Sequence, residues 1–521
     1  MESLRARLVY EPRELKFGTS GRRGAVVDLT QLEIYINVTG EIEYLGGRPG
    51  DAFYFAHDLR PSSTRLVAEE DGRGEICQAV EAALLDKGMR PVNLGEIPTP
   101  ALMHYALSRG CASIMVTGSH IPFRLNGYKL NTASGELMKS EEAAVTEAVA
   151  RVRERVYGGS FEESRFDERG MLKQGHQELS TADGTARESY RERFRAFFPA
   201  GVLEGTRVLV YQHSAVGRDL LVDVLRDLGA EVVPAGRSEV FVPIDTENVD
   251  ASLLAAIQEL TAEAGKLDAV VSLDGDSDRP LVLGVDPATG VLRFFGGDLV
   301  GMIAAQYLRA DSVAVPITCN DGIDRGPLAA VLEAKTRVGS PYVIEAMEAA
   351  RARGKRAVCG WEANGGFLTG TEIERDGRRL SALATRDAVL PILCVLASAR
   401  EKNLPVTELF VQLPQRYSRA ALLKNFPRTL GREIITRFSL GAARGLLEQL
   451  LDLGPIATLD LTDGLRVQLQ NGAVVHLRPS GNADEFRIYA VADTQERADA
   501  IAAAGVAEPD GILRRIERAV N

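Results

Sequence analysis

The chain of 521 residues carries a single tryptophan, six histidines and five cysteines. Cys77, Cys111, Cys319, Cys359 and Cys394 form no CxxC pair and sit in or beside apolar runs. That scatter argues against a disulfide framework and predicts small buried thiols. Long apolar runs are also lacking. The longest, Ala388 to Ala399, is too short to span a bilayer and contains Pro391. The opening stretch MESLRARLVYEPRELKFG has no apolar segment of the signal-peptide kind. A soluble, cytoplasmic protein with no membrane partner is expected. Basic tracts are missing too. Lys+Arg number 61 and Asp+Glu 72, a net charge of −11. Nucleic-acid affinity comes from Lys and Arg neutralising phosphates, so no nucleic-acid partner is expected. A small anionic substrate stays open, because local arginines outweigh net charge.

What is present is ordinary globular composition, 45% hydrophobic and 26% charged. At ~100–200 residues per domain, the length allows three to five units. The chain repeats strand, helix, strand. AFYFAHD (52–58) precedes a helical stretch from Arg65 to Lys87 and the short strand ASIMVTG (112–118). RVLVYQHS (207–214) opens a second round, with a helix closed by Gly229 and the strands EVVPAG and DAVVSLDG. SVAVPIT (312–318), the helix LAAVLEA and KRAVCGWE (355–362) make a third. Such alternation predicts α/β units. The last part differs. A helix with a break leads to short alternating strands with turns at Asp463-Gly464 and Asn471-Gly472, then another helix. The expected division is therefore 1–160, 185–296 and 297–402 as α/β domains and 403–521 as a smaller α+β domain. The stretch from about Tyr157 to Thr185 reads as a linker or surface excursion.

Five segments carry chemistry. In VTGSHIPFRLNGYKL a strand runs into a turn that Pro122 keeps from continuing it, which predicts Ser119 on a tight exposed turn. Open α/β sheets bind ligands at such strand ends. A serine needs help to act as a nucleophile. His120 is adjacent, and Lys129 returns toward it after Asn126-Gly127. In VVSLDGDSDRP, Asp274, Asp276 and Asp278 are too costly to crowd without a cation. Same-face strand residues lie ~6.6 Å apart. The loop must therefore curl to reach Mg²⁺ at ~2.0–2.1 Å. An EF-hand is excluded, since position six would be Arg279 and position twelve Val285. KFGTSGRRG, with Arg22 and Arg23, suits a phosphate. CGWEANGGFLTG offers Glu362 and Asn364 to vicinal hydroxyls, with Trp361 expected in the core. LRPSGNADEFRIY provides a second donor-rich loop in Arg478, Ser480, Gly481 and Asn482. Together these give a nucleophile, a divalent metal site, a polyol reader and two anion sites, an inventory that fits phosphoryl transfer on a phosphorylated sugar.

KFGTSGRRG, HDLRPSS (57–63), TGSHIP, LNGYK, DGDSDR, GWEANGG and RPSG resemble, in this order, the motifs of the α-D-phosphohexomutase superfamily. The resemblance runs from Lys16 to about Tyr489. It implies a heart-shaped enzyme of four domains, three similar α/β domains and a C-terminal α+β domain, around a central cleft. It implies that Ser119 is phosphorylated and that Mg²⁺ is held by Asp274, Asp276, Asp278 and the phosphoserine. It further implies that Lys129 is the general base and that Arg23 lies near the reacting phosphoryl, with His120 beside the serine. Arg279, Glu362, Asn364, Arg478, Ser480, Gly481 and Asn482 are implied as substrate-binding residues. The implied reaction interconverts hexose 6- and 1-phosphates through a hexose 1,6-bisphosphate, in a monomer or homodimer.

The chain departs from the common pattern in places. Ile121 replaces an asparagine, and Gly366 stands where many members carry histidine. An acid–base role of that histidine would have to move or be dispensable. RPSGNADE replaces RPSGTEP, which puts contacts from Asn482 onward in doubt. TGSHIP, EANGG and RPSGNA look most like bacterial chains acting on mannose phosphates. Phosphoglucomutase and phosphoglucosamine mutase chemistry are the near alternatives. A haloacid-dehalogenase-type phosphatase with Asp274 as nucleophile, or a non-catalytic sugar-phosphate-binding protein, leaves more of these motifs unexplained.

Overall fold

The computed structural model describes residues 2–247, 249–480 and 484–520. Continuous apolar runs become central strands covered on both faces. AFYFAH and AVVSL are the clearest cases, buried along almost their whole length. Four main sheets result. The first runs in the order Arg22–Ala25, Leu125–Thr132, Ser113–Val116, Ala52–His57 and Arg90–Glu96, with Gly135–Glu136 added at Leu125–Thr132. The second orders Glu231–Arg237, Arg207–His213, Ala269–Leu273, Pro280–Val285 and Leu292–Phe295. The third orders Ser312–Ala314, Val358–Trp361, Phe367–Thr369 and Leu383–Asp387.

These three sheets share one arrangement. In each, a parallel pair gives way to an antiparallel hairpin. The hairpins join Ser113–Val116 to Leu125–Thr132, Ala269–Leu273 to Pro280–Val285, and Val358–Trp361 to Phe367–Thr369. Ser119, the three aspartates and Glu362 with Asn364 lie in the three hairpin connections. The fourth sheet is wholly antiparallel, in the order Tyr417–Lys424, Glu485–Ala492, Val474–Pro479, Leu465–Leu469 and Ile456–Asp460, and has a core of its own.

The largest core joins side chains from the first three sheets. Its axis is the helix Val389–Lys402, buried on all sides as far as Ala399, which is the apolar run noted in the sequence. Helix Gln31–Leu45 starts on Thr30, whose hydroxyl accepts from the Glu33 amide, and ends on Gly46 at φ 67. Its Gly40 lets Glu142–Gly158 approach closely; a Cβ there would lie 2.6 Å from the Val149 Cα. The helix Val406–Val411 packs beside the second sheet, with Phe410 stacked 3.8 Å from Phe295.

Several sequence expectations change. The stretch from Arg65 to Lys87 is α-helical only over Ile76–Asp86, with a single 3-10 turn at Ala68–Glu70 before it. Asp71, Gly72, Gly74 and Glu75 all take positive φ, which no helix tolerates in succession. LAAVLEA gives only a 3-10 turn, Pro327–Val331. Asn126-Gly127 is part of a strand, not a turn. The break in the C-terminal helical region falls between Arg428–Phe438 and Arg444–Leu451, and Ile512–Val520 is a further helix. Residues 159–184 are an excursion that folds back on the first unit. There the Leu172 amide donates to Gln31, Gln78 to the Gly175 carbonyl, and Asn93 to Ser180. Four cysteines are buried and Cys111 is half-buried; all five are free thiols.

Candidate active site

Ser119 sits in the tight turn expected after its strand, three residues past Val116, and takes φ 55, a left-handed conformation the sequence did not announce. It is buried rather than exposed, because the aspartate loop of the second unit closes over it. Its Oγ donates to Asp274 Oδ2 at 2.7 Å and lies 3.4 Å from His120 Nδ1. Its amide donates to Thr117 Oγ1, which donates to Asp58. Arg60 holds the turn from below. Its guanidinium donates to the carbonyls of Ser119, Ile121, Pro122 and Leu125 and stacks 4.0 Å from the Phe241 ring centre.

The aspartate loop curls as required. The Ser277 amide donates to the Asp274 carbonyl, and Ser277 takes φ 61. Gly275 faces the Ser119 carbonyl so closely that a Cβ would lie 2.7 Å from it. Asp274, Asp276 and Asp278 are fully buried, and one oxygen from each lies within 4.8 Å of the others. Asp276 Oδ1 and Asp278 Oδ1 are buried with no hydrogen-bond partner. Carboxylate oxygens without a hydrogen bond in such a cradle fit a hard divalent cation that takes oxygen ligands.

Cations line the rest of the cluster. Lys129 Nζ lies 2.6 Å from both Asp276 Oδ2 and Asp278 Oδ2. Arg279 Nε lies 3.6 Å from Asp278 Oδ1. Arg386 lies 2.9 Å from Asp278 Oδ2 and 2.9 Å from Glu362 Oε2. Burial, reinforced by Asp276 and Asp278, pushes the Asp274 carboxyl up to about 8. Burial acts the same way on Asp278, but Arg386, Lys129 and Arg279 outweigh it and hold that carboxyl below the usual range. Burial, with Arg279 and Arg23 nearby, keeps His120 well below 6.5, so its ring is neutral at pH 7. Arg23 is pushed down to about 10 by burial and then Arg279, and stays charged.

Arg22 and Arg23 diverge. Arg23 contributes to the cluster's charge, whereas Arg22 turns inward to Glu41 at 2.8 Å and over Phe17, leaving one of the two for an anion. Glu362 and Asn364 are buried beside the aspartate loop, and the Asn364 carbonyl accepts from Thr246. Trp361 is core, stacked on Phe367. Arg478 ends its strand 3.0 Å from Asp463 Oδ1, and Asp463 Oδ2 accepts from the Val338 amide of the third unit. Ser480 is buried near it. Gly481 and Asn482 lie outside the described residues. The sequence reading gave no role to Arg60, Thr99 or Arg386. Arg60 lay in the quoted HDLRPSS, so a signal existed. Thr99, whose hydroxyl donates to Asp276 at 2.5 Å, and Arg386 carry no local signal.

A serine set against a carboxylate cradle, with cations and the Glu362–Asn364 loop around it, is equipment suited to phosphoryl transfer. Comparison gives the family. Residues 14–156 match the phosphoglucomutase/phosphomannomutase α/β/α domain I and residues 296–417 match its domain III. The chain is 37% identical to a phosphomannomutase of Sinorhizobium fredii, over 94% of this chain and 98% of that one. It is 38% identical to a phosphomannomutase of Salmonella muenchen, over 93% of each. The chain belongs to the phosphoglucomutase/phosphomannomutase family, whose members are isomerases. Its fold is that of a phosphoglucomutase/phosphomannomutase family protein from Burkholderia thailandensis, with TM-score 0.66, 18% identity and 96% and 97% of the two chains covered.

Proposed function

We propose that the chain is a Mg²⁺-dependent phosphomannomutase, interconverting mannose 6-phosphate and mannose 1-phosphate. The observation that carries the chemistry is Ser119 Oγ against Asp274 beside two unpartnered carboxylate oxygens. The named activity of relatives 37% and 38% identical over most of the chain supports the choice of mannose. Phosphoglucosamine mutases at 28% identity are more distant.

Asp274, Asp276, Asp278 and phospho-Ser119 would hold Mg²⁺. The ion supplies charge neutralisation for the transferring phosphoryl group. Phospho-Ser119 gives its phosphoryl to the free hydroxyl of the hexose phosphate, and the resulting 1,6-bisphosphate turns over within the cleft. Ser119 then accepts the other phosphoryl. Lys129, the cation between Asp276 and Asp278 in this structure, is the proposed acceptor of the hydroxyl proton once it has released its own proton to solvent, and neutral His120 lies beside the serine to orient it. Arg23 and Arg279 face the reacting group. Glu362 and Asn364 accept from and donate to the sugar hydroxyls. Arg478, Ser480, Gly481 and Asn482 grip the resting phosphate. Catalysis is positioning plus charge stabilisation in a dry site. Arg23, Arg60, Lys129, Arg279 and Arg386, with a bound dication, would offset the buried carboxylates and the phosphoserine, which is how an acidic chain can take an anionic substrate.

The proposed division is 1–160, 185–296, 297–402 and 403–521, with one functional loop in each unit. Among the described residues no helix is long and apolar enough to cross a membrane, and a cytoplasmic enzyme acting as monomer or homodimer is part of the proposal. A coupled assay with mannose 1-phosphate, glucose 1-phosphate and glucosamine 1-phosphate at matched concentrations tests it. Turnover fastest on mannose 1-phosphate, with phosphate on Ser119 by mass spectrometry, is expected. A mannose to glucose kcat/KM ratio well below one removes the phosphomannomutase reading. Turnover retained in Ser119→Ala removes the mutase reading.

A further inference from the structure

Arg386 is the penultimate residue of the strand Leu383–Asp387 and is 2% exposed, deep among residues of three units. Its Nε and Nη2 form a fork on Asp278 Oδ2, at 3.0 and 2.9 Å. Its Nη1 donates to Glu362 Oε2 at 2.9 Å, and its Nη2 lies 3.3 Å from Ser20 Oγ. One guanidinium thus joins the aspartate loop, the sugar-reading loop and the N-terminal loop. The side chain reaches them by lying along Gly366. A Cβ at Gly366 would stand 2.6 Å from Arg386 Cδ and 2.7 Å from its Cγ. Glycine at 366 is what admits the arginine, and the arginine takes the room that a histidine at 366 would need.

The backbone under Arg386 is fixed independently. Asp387 accepts from Arg193, from Tyr190 at 2.6 Å and from the amides of Val389 and Leu390 at the start of the central helix. The fork is therefore set before any ligand arrives. Among the described residues, Glu362 Oε2 is the carboxylate oxygen held, and Oε1 has no hydrogen-bond partner. A guanidinium has five donors and no acceptor and keeps its proton, so it cannot shuttle one.

We propose that Arg386 is a positioning residue for the sugar: by pinning Glu362 Oε2 it presents Oε1 as the acceptor for a hexose hydroxyl, from the space that Gly366 leaves free. The inference rests on the hexose-phosphate reading of the same cleft. It also assigns the Gly366 departure a cause. The group that replaces the histidine is electrostatic, and proton transfer is left to Lys129.

The test measures binding apart from turnover. Mannose 1-phosphate is titrated calorimetrically into Mg²⁺-loaded Ser119→Ala chain, then into the same chain with Arg386→Ala, Glu362→Gln or both. Losing a charge-assisted hydrogen bond predicts a Kd raised about tenfold in each single variant. Because Arg386 acts through Glu362, the combined variant is expected to bind no worse than the weaker single one. In the Ser119 enzyme, Arg386→Ala is expected to raise KM about tenfold. Arg386→Lys recovers little, since one ammonium cannot span both carboxylates. Gly366→Ala provides a variant that keeps the charge. Its Cβ displaces the Arg386 stem, and a raised KM with a modestly lowered melting midpoint, the chain still folded at assay temperature, is expected. It decides the matter should Arg386→Ala not fold. Multiplying losses in the combined variant, or an unchanged Kd in Arg386→Ala or Gly366→Ala, overturns the proposal alone. A Ser119→Ala parent that binds no hexose phosphate overturns the functional reading with it.

Discussion

At Ser119 the backbone and the side chain answer to different units. The backbone is held by Arg60 from the first, and the hydroxyl by Asp274 from the second. Arg60 donates to four carbonyls of one turn, and each would lose that donor on truncation, with Pro122 keeping the Leu125 amide as a second. Arg60→Ala is therefore expected to cost about 3 kcal/mol or more in urea unfolding and to abolish measurable Ser119 phosphorylation. Arg60→Lys keeps the charge but loses the fork, so it should retain most of the stability and little of the phosphorylation. Equal stability of Arg60→Ala and parent would show that the turn holds itself. That Ser119, the three aspartates and Glu362 are gathered in one place could be anticipated from the sequence, because each lies in a segment whose polar residues stand within a few positions of a strand end. The grip of Arg60 could not be, because its partners stand 59 to 65 positions away. For Arg386 the gap to Asp278 is 108 positions. Only folding discloses such pairings.

The recurrent element is the hairpin at the edge of each parallel pair. Its connection is the one place where a buried sheet can present polar groups without leaving ladder bonds unpaired. Alternation of strands and helices was readable, since strands covered on both faces are continuous apolar runs. Two helices were overcalled from composition. Positive φ at four of the five residues from Asp71 to Glu75 overrides apolar periodicity, and LAAVLEA is too short to sustain more than a 3-10 turn. The hairpin loops of the first two units touch at a glycine. Gly275→Ala would place a methyl 2.7 Å from the Ser119 carbonyl and 3.4 Å from the Phe241 ring. Overpacking of this kind costs about 1–3 kcal/mol. The variant is expected to fold, to lose turnover by at least about tenfold, and to bind Mg²⁺ more weakly by calorimetry. Wild-type turnover in Gly275→Ala would mean that the seam tolerates separation.

Across the molecule, three histidines in three units share one electrostatic condition. Burial lowers His104, His213 and His476 each to about 4. The unfolded chain binds these protons near pH 6.5, the folded chain only near 4. Their contribution to stability is complete above pH 6.5 and is lost as the pH falls toward 4. Each fully shifted group adds about 1.4 kcal/mol per pH unit to the slope in that window. His213, whose Nε2 donates to the Leu273 carbonyl just before the aspartate loop, is the cleanest probe. In His213→Gln, unfolding free energies from urea titrations between pH 6.5 and 4.5 should fall less steeply by about that amount. An unchanged slope would place the acid sensitivity elsewhere.

The serine and its partners also stand far apart along the chain. Ser119 precedes Asp274 by 155 positions and Arg386 by a further 112. At about 5–20 residues per second of synthesis, roughly 13–53 s separate the emergence of Ser119 from that of the Arg386 guanidinium beside the aspartate loop. For that interval the first unit can fold with its serine turn built and uncovered. A nascent chain is thus chemically silent by construction, and activity begins as an event of completion, when the second and third hairpins close over a residue made long before them.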